Sequence, residues 1–272
     1  MEIRIGASWP AALQDPSESR TFKPRSSGLT MVIDKGLGPQ AFADMLATSA
    51  PFIDFVKIGF GTSPLYPIPL LQEKINSARQ ADIAVFPGGT LLEAAVRLNV
   101  EGKFFETVLD LGFDGVEVSD GTIELSRKKR DQLIREATQL GLRVFTEYGK
   151  KATGSRVVLD DLRRTAETDL QCGAELVTVE ARESGLGVGL FDESGGCRED
   201  ELRSLVNKLP FAKNLMWEAP RKNQQVDLLM ILGSDANLGN IPPHEAIPLE
   251  TLRRGLRSDT FALHRSISDY VI

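Results

Sequence analysis

Lys57, Pro87, Glu117 and Glu147 stand thirty positions apart, and Glu180 follows thirty-three later. Each lies at the C-terminal end of a short apolar run, and an amphipathic stretch follows. No residue repeat accompanies the interval, so it marks regular strand–helix units and not a solenoid. Strand candidates fall at 29–34, 55–59, 83–86, 115–118, 143–147, 176–180, 214–218 and 236–239. Helices are expected to fill the gaps, for example at 39–48, 70–81, 91–98, 125–140, 160–172, 199–208 and 249–256. Alternating βα units call for a parallel sheet covered by helices. Eight strands with eight helical segments is the count of a (β/α)8 TIM barrel, an α/β fold that runs near 250 residues as a single domain. An open doubly wound sheet would usually show a Gly-rich first βα turn. Asp34-Lys35-Gly36-Leu37-Gly38 is not G-x-G-x-x-G, and the barrel is the better reading. Residues 1–28, with three prolines, read as an N-terminal arm lying on the body or partly disordered; 29–272 hold the barrel and a C-terminal tail.

Composition removes several classes of chemistry. Lys and Arg number 32 against 38 Asp and Glu, a net charge of −6. An acidic chain with no basic block is a poor binder of nucleic acid or anionic membrane. No run approaches the ~18 apolar residues of a membrane span, and the polar start does not resemble a signal peptide. A cytoplasmic location is expected, with self-association through the outer helices. Two cysteines, Cys172 and Cys197, cannot supply a Cys-rich zinc site or a disulfide framework. With only His244 and His264, a Ser-His-Asp arrangement is disfavoured, and acid–base work falls to Lys, Glu or Asp.

The strand ends carry the chemistry. In order they hold Asp34-Lys35, Lys57, Gly88-Gly89-Thr90, Glu117 with Ser119-Asp120, Glu147 with Lys150-Lys151, Glu180 with Arg182, Glu218, and Asn237 with Asn240. In a closed barrel these ends converge on one mouth, the face where barrel enzymes place their sites. Simple solvation explains any one of these residues, but not so many together. Period-two alternation puts Thr178, Glu180 and Arg182 on one face of their strand, and Glu117 with Ser119 on another. Lys57 lies mid-strand between apolar neighbours. An unpaired ammonium there costs several kcal/mol, so it meets either an anionic ligand or a structural carboxylate, Glu180 or Glu117. Gly88-Gly89-Thr90 reads better as a tight turn with a Thr N-cap than as a phosphate cradle. Gly185, Gly187 and Gly189 suggest a mobile lid over the mouth. Gly239 and Asn240 end the eighth strand, where barrels often bind phosphate through backbone N–H groups. Several carboxylates favour a hard cation such as Mg²⁺, and the cationic side chains favour a multiply anionic substrate. That pairing suits enolate chemistry on a phosphorylated carboxylate.

The segments LTMVIDKG (29–36), FIDFVKIGFGTS (52–63), PGGTLLE (87–93), VEVSDG (116–121), EYGKK (147–151), EARESG (180–185), WEAP (217–220) and PLETLRRGLR (248–257) resemble the phosphosulfolactate synthase family. The likeness runs over about 29–261. It implies a (β/α)8 barrel that adds sulfite to phosphoenolpyruvate with Mg²⁺, giving (2R)-2-phospho-3-sulfolactate: a carbon–sulfur lyase acting in the synthetic direction. In methanogens this reaction opens a route to coenzyme M, and bacteria and plants carry relatives. Two other readings use the same mouth. One is a barrel lyase or isomerase on another phosphorylated carboxylic acid; the other is a non-catalytic, stress-related relative.

Within the resemblance, charge bookkeeping distributes the roles. Glu147 and Glu180, helped by Glu117 or Asp120, are expected to hold Mg²⁺. Lys150 is the expected general acid that protonates C2. Lys35, Lys57 and Arg182 are expected to hold phosphate, carboxylate and sulfite, with Gly239 and Asn240 at the phosphate. The expected partners are these small anionic substrates, with no nucleic acid and no membrane.

Overall fold

A computed structural model describes residues 9–150, 154–181, 184–261 and 263. Short runs rich in Val, Ile, Phe and Leu form its eight strands: β1 (Thr30–Asp34), β2 (Phe55–Ile58), β3 (Ala84–Pro87), β4 (Gly115–Val118), β5 (Arg143–Tyr148), β6 (Leu176–Val179), β7 (Leu215–Glu218) and β8 (Leu238–Ile241). All ladders are parallel, in the order β3-β2-β1-β8-β7-β6-β5-β4. The β1–β8 ladder brings the chain's first and last strands together. What remains is a seam between β3 and β4. Pro87 has no N–H to give there, and the seam is held instead by Asp114 N–H to Val85 O (2.9 Å) and Val85 N–H to Asp114 Oδ2 (2.8 Å). The architecture is the expected single-domain (β/α)8 TIM barrel.

Helices cover the outside. They are α1 (Ala11–Gln14) in the arm, then α2 (Pro39–Ser49), α3 (Ile68–Gln80), α4 (Gly89–Arg97), α5 (Glu101–Leu111), α6 (Arg127–Gln139), α7 (Leu159–Cys172), α8 (Glu199–Val206), α9 (Lys222–Leu232) and α10 (Ala246–Arg253). α1, α5 and α9 add to the helical ranges expected from sequence, and α10 begins earlier than expected. α5 is a second helix between β3 and β4. α10 starts three residues before the expected 249, because Pro248 sits in its first turn, where a missing N–H costs nothing. Among the described residues no helix is long and apolar enough to cross a membrane. Residues 9–28 lie across the N-terminal ends of the strands, pinned by Arg20 to Glu250 and by Arg25 to Asp54.

Strand alternation splits the apolar residues into two sets. One faces the helices. The other, Leu29, Met31, Phe55, Phe86, Phe145, Leu176 and Met216, fills the barrel. Phe145 is its centre: it stacks on Phe86 with ring centroids 4.3 Å apart and meets Phe55 edge-on at 5.0 Å. The Arg143 guanidinium, 4.9 Å from the Phe55 ring, lies beside this plug. Gly239 belongs to the same packing. A Cβ there would lie 2.7 Å from Met31 Cε, so the eighth strand needs glycine to let the plug close.

The plug sets the floor of the mouth. Phe145→Ala is expected to remove about 3–5 kcal/mol of unfolding free energy, measured by urea denaturation with an unchanged m-value. A loss below about 1 kcal/mol would contradict this role.

Candidate functional site at the barrel mouth

On β2, β5 and β7 the inward position two residues beyond the plug is charged. Phe55 gives way to Lys57, Phe145 to Glu147 and Met216 to Glu218, while Glu117 and Glu180 close β4 and follow β6. All five are buried. Lys57 Nζ lies 3.2 Å from Glu117 Oε1 and 3.2 Å from Glu218 Oε1. Burial alone would lower the Lys57 pKa. The carboxylates of Glu117, Glu218, Glu147 and Glu180 outweigh it and raise the pKa above the ordinary lysine value. Lys57 is therefore a fixed cation and not a proton shuttle.

The second oxygens of its partners hold backbone. Glu117 Oε2 accepts Gly89 N–H at 2.7 Å, and Glu218 Oε2 accepts Ala181 N–H at 3.0 Å. Glu117 thus bridges the β3–β4 seam at its upper end. Gly88 caps α4 and Gly89 is its first residue, so Thr90 is not the cap. A Cβ on Gly89 would fall 2.3 Å from Ser119 Oγ, which explains the glycine.

Glu147, Glu180 and Glu218 each place a carboxylate oxygen within 4.8 Å of the other two. Among the described residues, four glutamates and one lysine ammonium line this buried place. An all-oxygen donor set of this kind suits a hard divalent cation. Above it opens a cavity of about 260 Å³, lined also by Gly59, Phe60, Thr90, Thr122 and Asn240. Asn240 lies at a register shift between β1 and β8, with φ 53°. Its buried Oδ1 meets no hydrogen-bond donor among the described residues.

The family described as (2R)-phospho-3-sulfolactate synthase (ComA) matches residues 18–259. The phosphosulfolactate synthase of Methanothermobacter thermautotrophicus is 44% identical over 243 residues, 89% of this chain and 94% of that relative. That of Bacillus subtilis is 39% identical over 246 residues, 90% and 96% of the two chains. This chain belongs to the phosphosulfolactate synthase family. Its relatives are enzymes, and its own fold is that of many others. A 3-hexulose-6-phosphate synthase superposes with TM-score 0.51 at 14% identity, over 87% of this chain and 95% of that one. The YdjI aldolase of Escherichia coli K12 gives 0.54 at 10% identity, over 84% and 80%.

Most of the residues singled out from sequence in this family member line one of two cavities. Lys57, Glu117, Glu147, Glu180 and Asn240 share the central cavity. Glu218 joins them; it ends an expected strand but stands outside the thirty-residue interval, and nothing in the sequence gives it a ligand's place. Asp120 and Lys150 face a neighbouring cavity of about 470 Å³, lined also by Arg127, Arg130, Arg156 and Arg164. Lys150 Nζ donates to Asp120 O at 2.6 Å and lies 3.1 Å from Asp120 Oδ2. Asp120 therefore serves Lys150 and Arg130, apart from the glutamates. Lys35 stands on the rim, its Nζ 5.8 Å from the Phe60 ring centroid. Its neighbour Asp34 is structural: it accepts Gly36 and Leu37 N–H, both at 2.8 Å, and pairs with buried Lys74. Gly239 packs inside the barrel and does not line the central cavity. Arg182 and Lys151 lie outside the described residues.

The glycine-rich stretch differs from the mobile lid expected of it. Gly185, Gly187 and Gly189 adopt φ near 62–64°, and Val188, Leu190 and Phe191 are buried. Gly189 N–H bonds Ser155 O, and Gly187 O accepts Gly154 N–H, both at 2.9 Å. A Cβ on Gly189 would lie 2.4 Å from Glu180 O, so this stretch buttresses the end of β6.

The Lys57 ion pairs have a stability signature. Its folded pKa lies above the ordinary value of 10.5, so its contribution is whole below that value and is lost only as pH rises through the folded one. Lys57→Met is expected to lose about 3–5 kcal/mol in urea unfolding. The gap to wild type should stay level from about pH 7 to 9. A gap that closes over that interval would contradict the assignment.

Proposed function

We propose that this chain adds sulfite to phosphoenolpyruvate, with Mg²⁺ as cofactor, giving (2R)-2-phospho-3-sulfolactate. The observation that carries the reading is one mouth with two unlike halves. Buried carboxylates surround Lys57 in one. In the other, Lys150 and four arginines outnumber Asp120 and Asp161 in a net basic cavity. Membership of the family, at 44% identity to a curated synthase, supports the same reaction.

Glu147, Glu180 and Glu218 would hold the Mg²⁺; their three closely spaced carboxylates, all oxygen donors, suit it. Glu117, one of the ligands expected from sequence, is given instead to Lys57 and Gly89. When bound, the ion supplies Lewis-acid stabilisation of the charge that develops on the substrate carboxylate. Lys57, always protonated, attracts that carboxylate and offsets its approach to the glutamates. The basic cavity and Lys35 draw in phosphate and sulfite, which otherwise repel each other; Arg182 is assigned to the same task. The Asn240 side chain faces the central cavity as a further polar contact for substrate. The sulfur lone pair of sulfite forms the new bond to the methylene carbon, and the C2–C3 π pair moves toward C2 and the carboxylate. The Lys150 ammonium then gives a proton to C2, completing 2-phospho-3-sulfolactate.

Phosphorus NMR of the purified protein with phosphoenolpyruvate and Mg²⁺ tests the reading. A new phosphoester resonance is expected only when sulfite is present, and chelation of the metal should abolish it. Folded protein that leaves phosphoenolpyruvate untouched under these conditions would move the assignment to another phosphorylated acid. Lys150→Ala is expected to cut kcat by on the order of 10²-fold or more, with KM changed little. An unaltered kcat would remove Lys150 from the proton transfer.

A further inference from the structure

Arg130, on α6, touches both halves of the mouth. Its Nη2 donates to Glu147 O at 3.0 Å, the carbonyl of a glutamate in the central cluster. Its Nη1 lies 3.3 Å from Asp120 Oδ1, while Asp120 Oδ2 holds Lys150 Nζ at 3.1 Å. Nε and Nη2 grip Asp169 at 3.1 and 2.7 Å. Arg130 is 4% exposed and Asp169 is fully buried.

Neutralising Asp169 does not by itself require Arg130. Arg127 Nη2 already lies 2.7 Å from Asp169 Oδ1. What Arg130 adds is a rigid planar fork that engages an α7 carboxylate, a β5 carbonyl and the Asp120 loop at fixed angles. A lysine has the charge but not the fork.

We propose that Arg130 is a positioning residue that sets Lys150 relative to the glutamate cluster, acting through Asp120. The proposal rests on the reading in which Lys150 donates the proton. Arg130 also borders the basic cavity, so direct substrate binding is the rival role, and the two separate in kinetics. Positioning appears in kcat, direct binding in KM.

The test uses the full chain with Arg130→Lys, Asp120→Asn and the double variant. Arg130→Lys keeps a cation beside Asp169, and Asp120→Asn alters only a half-buried loop. Each single variant is expected to lower kcat about 10-fold or more with KM for phosphoenolpyruvate within about two-fold. Because both act on the same contact, the double variant should be no slower than the slower single one. A second readout needs no activity: labelling with an amine-reactive reagent, resolved by peptide mass spectrometry, with exposed Lys103 as reference. Lys150 should react several-fold faster in both single variants than in wild type. Fold losses that multiply in the double variant, a rise in KM without a fall in kcat, or unchanged Lys150 labelling would overturn the proposal. If Arg130→Lys fails to fold, Lys150 labelling in Asp120→Asn decides. If wild type shows no sulfite-dependent turnover, the proposed reaction falls, and labelling alone decides whether Arg130 positions Lys150.

Discussion

A single ammonium buried between carboxylates organises this barrel. Lys57 stands directly above the aromatic plug, 3.2 Å from each of two glutamates that arrive from β4 and β7. Each contact is worth on the order of 5 kcal/mol at an effective dielectric of about 20. That attraction offsets the cost of taking the charges out of water, and it ties together strands that are not neighbours in the sheet. Glu117 and Glu218 spend their other oxygens on backbone N–H groups of the third and sixth βα turns. The same ion pairs thus fix the loops that form the mouth and draw the β3–β4 seam together where Pro87 leaves the ladder short of a donor.

Glu147, Glu180 and Glu218 form an all-oxygen pocket of a kind suited to a divalent ion. The anionic substrates of the proposed reaction would gain from a second, basic region. The arginines and Lys150 beside the β4–α6 and β5–α7 loops supply it, within one mouth but outside the glutamate cavity. In the proposed reaction, separating the two regions would let the site hold a metal and attract multiply charged anions at once.

The barrel was legible because a parallel strand has a strict side-chain period, and the βα units from β2 to β6 have similar lengths. Residues 57, 117 and 147 recur at thirty because each ends an inward-facing row. Glu218 has the same cause, yet its place as a metal-cluster member depends on where β7 sits around the barrel, which strand spacing does not report. Asp120 and Lys150 lie in loops, where the period stops applying. The loop direction is fixed by Arg130, Asp169 and the acceptor carbonyls of residues 120 and 123, contacts between segments far apart in the chain. The glycine triplet reads as a lid from composition alone. Only its long-range hydrogen bonds to residues 154 and 155 reveal a packed turn.

The central claim is that the glutamates above the plug form a divalent metal site with Lys57 as its resident counter-charge. Anomalous diffraction from crystals soaked with Mn²⁺ and phosphoenolpyruvate tests it most directly. The account predicts one strong peak ligated by Glu147, Glu180 and Glu218, with Lys57 still paired to Glu117. Saturating Mn²⁺ that leaves this cluster empty, or binds elsewhere in the mouth, would contradict it.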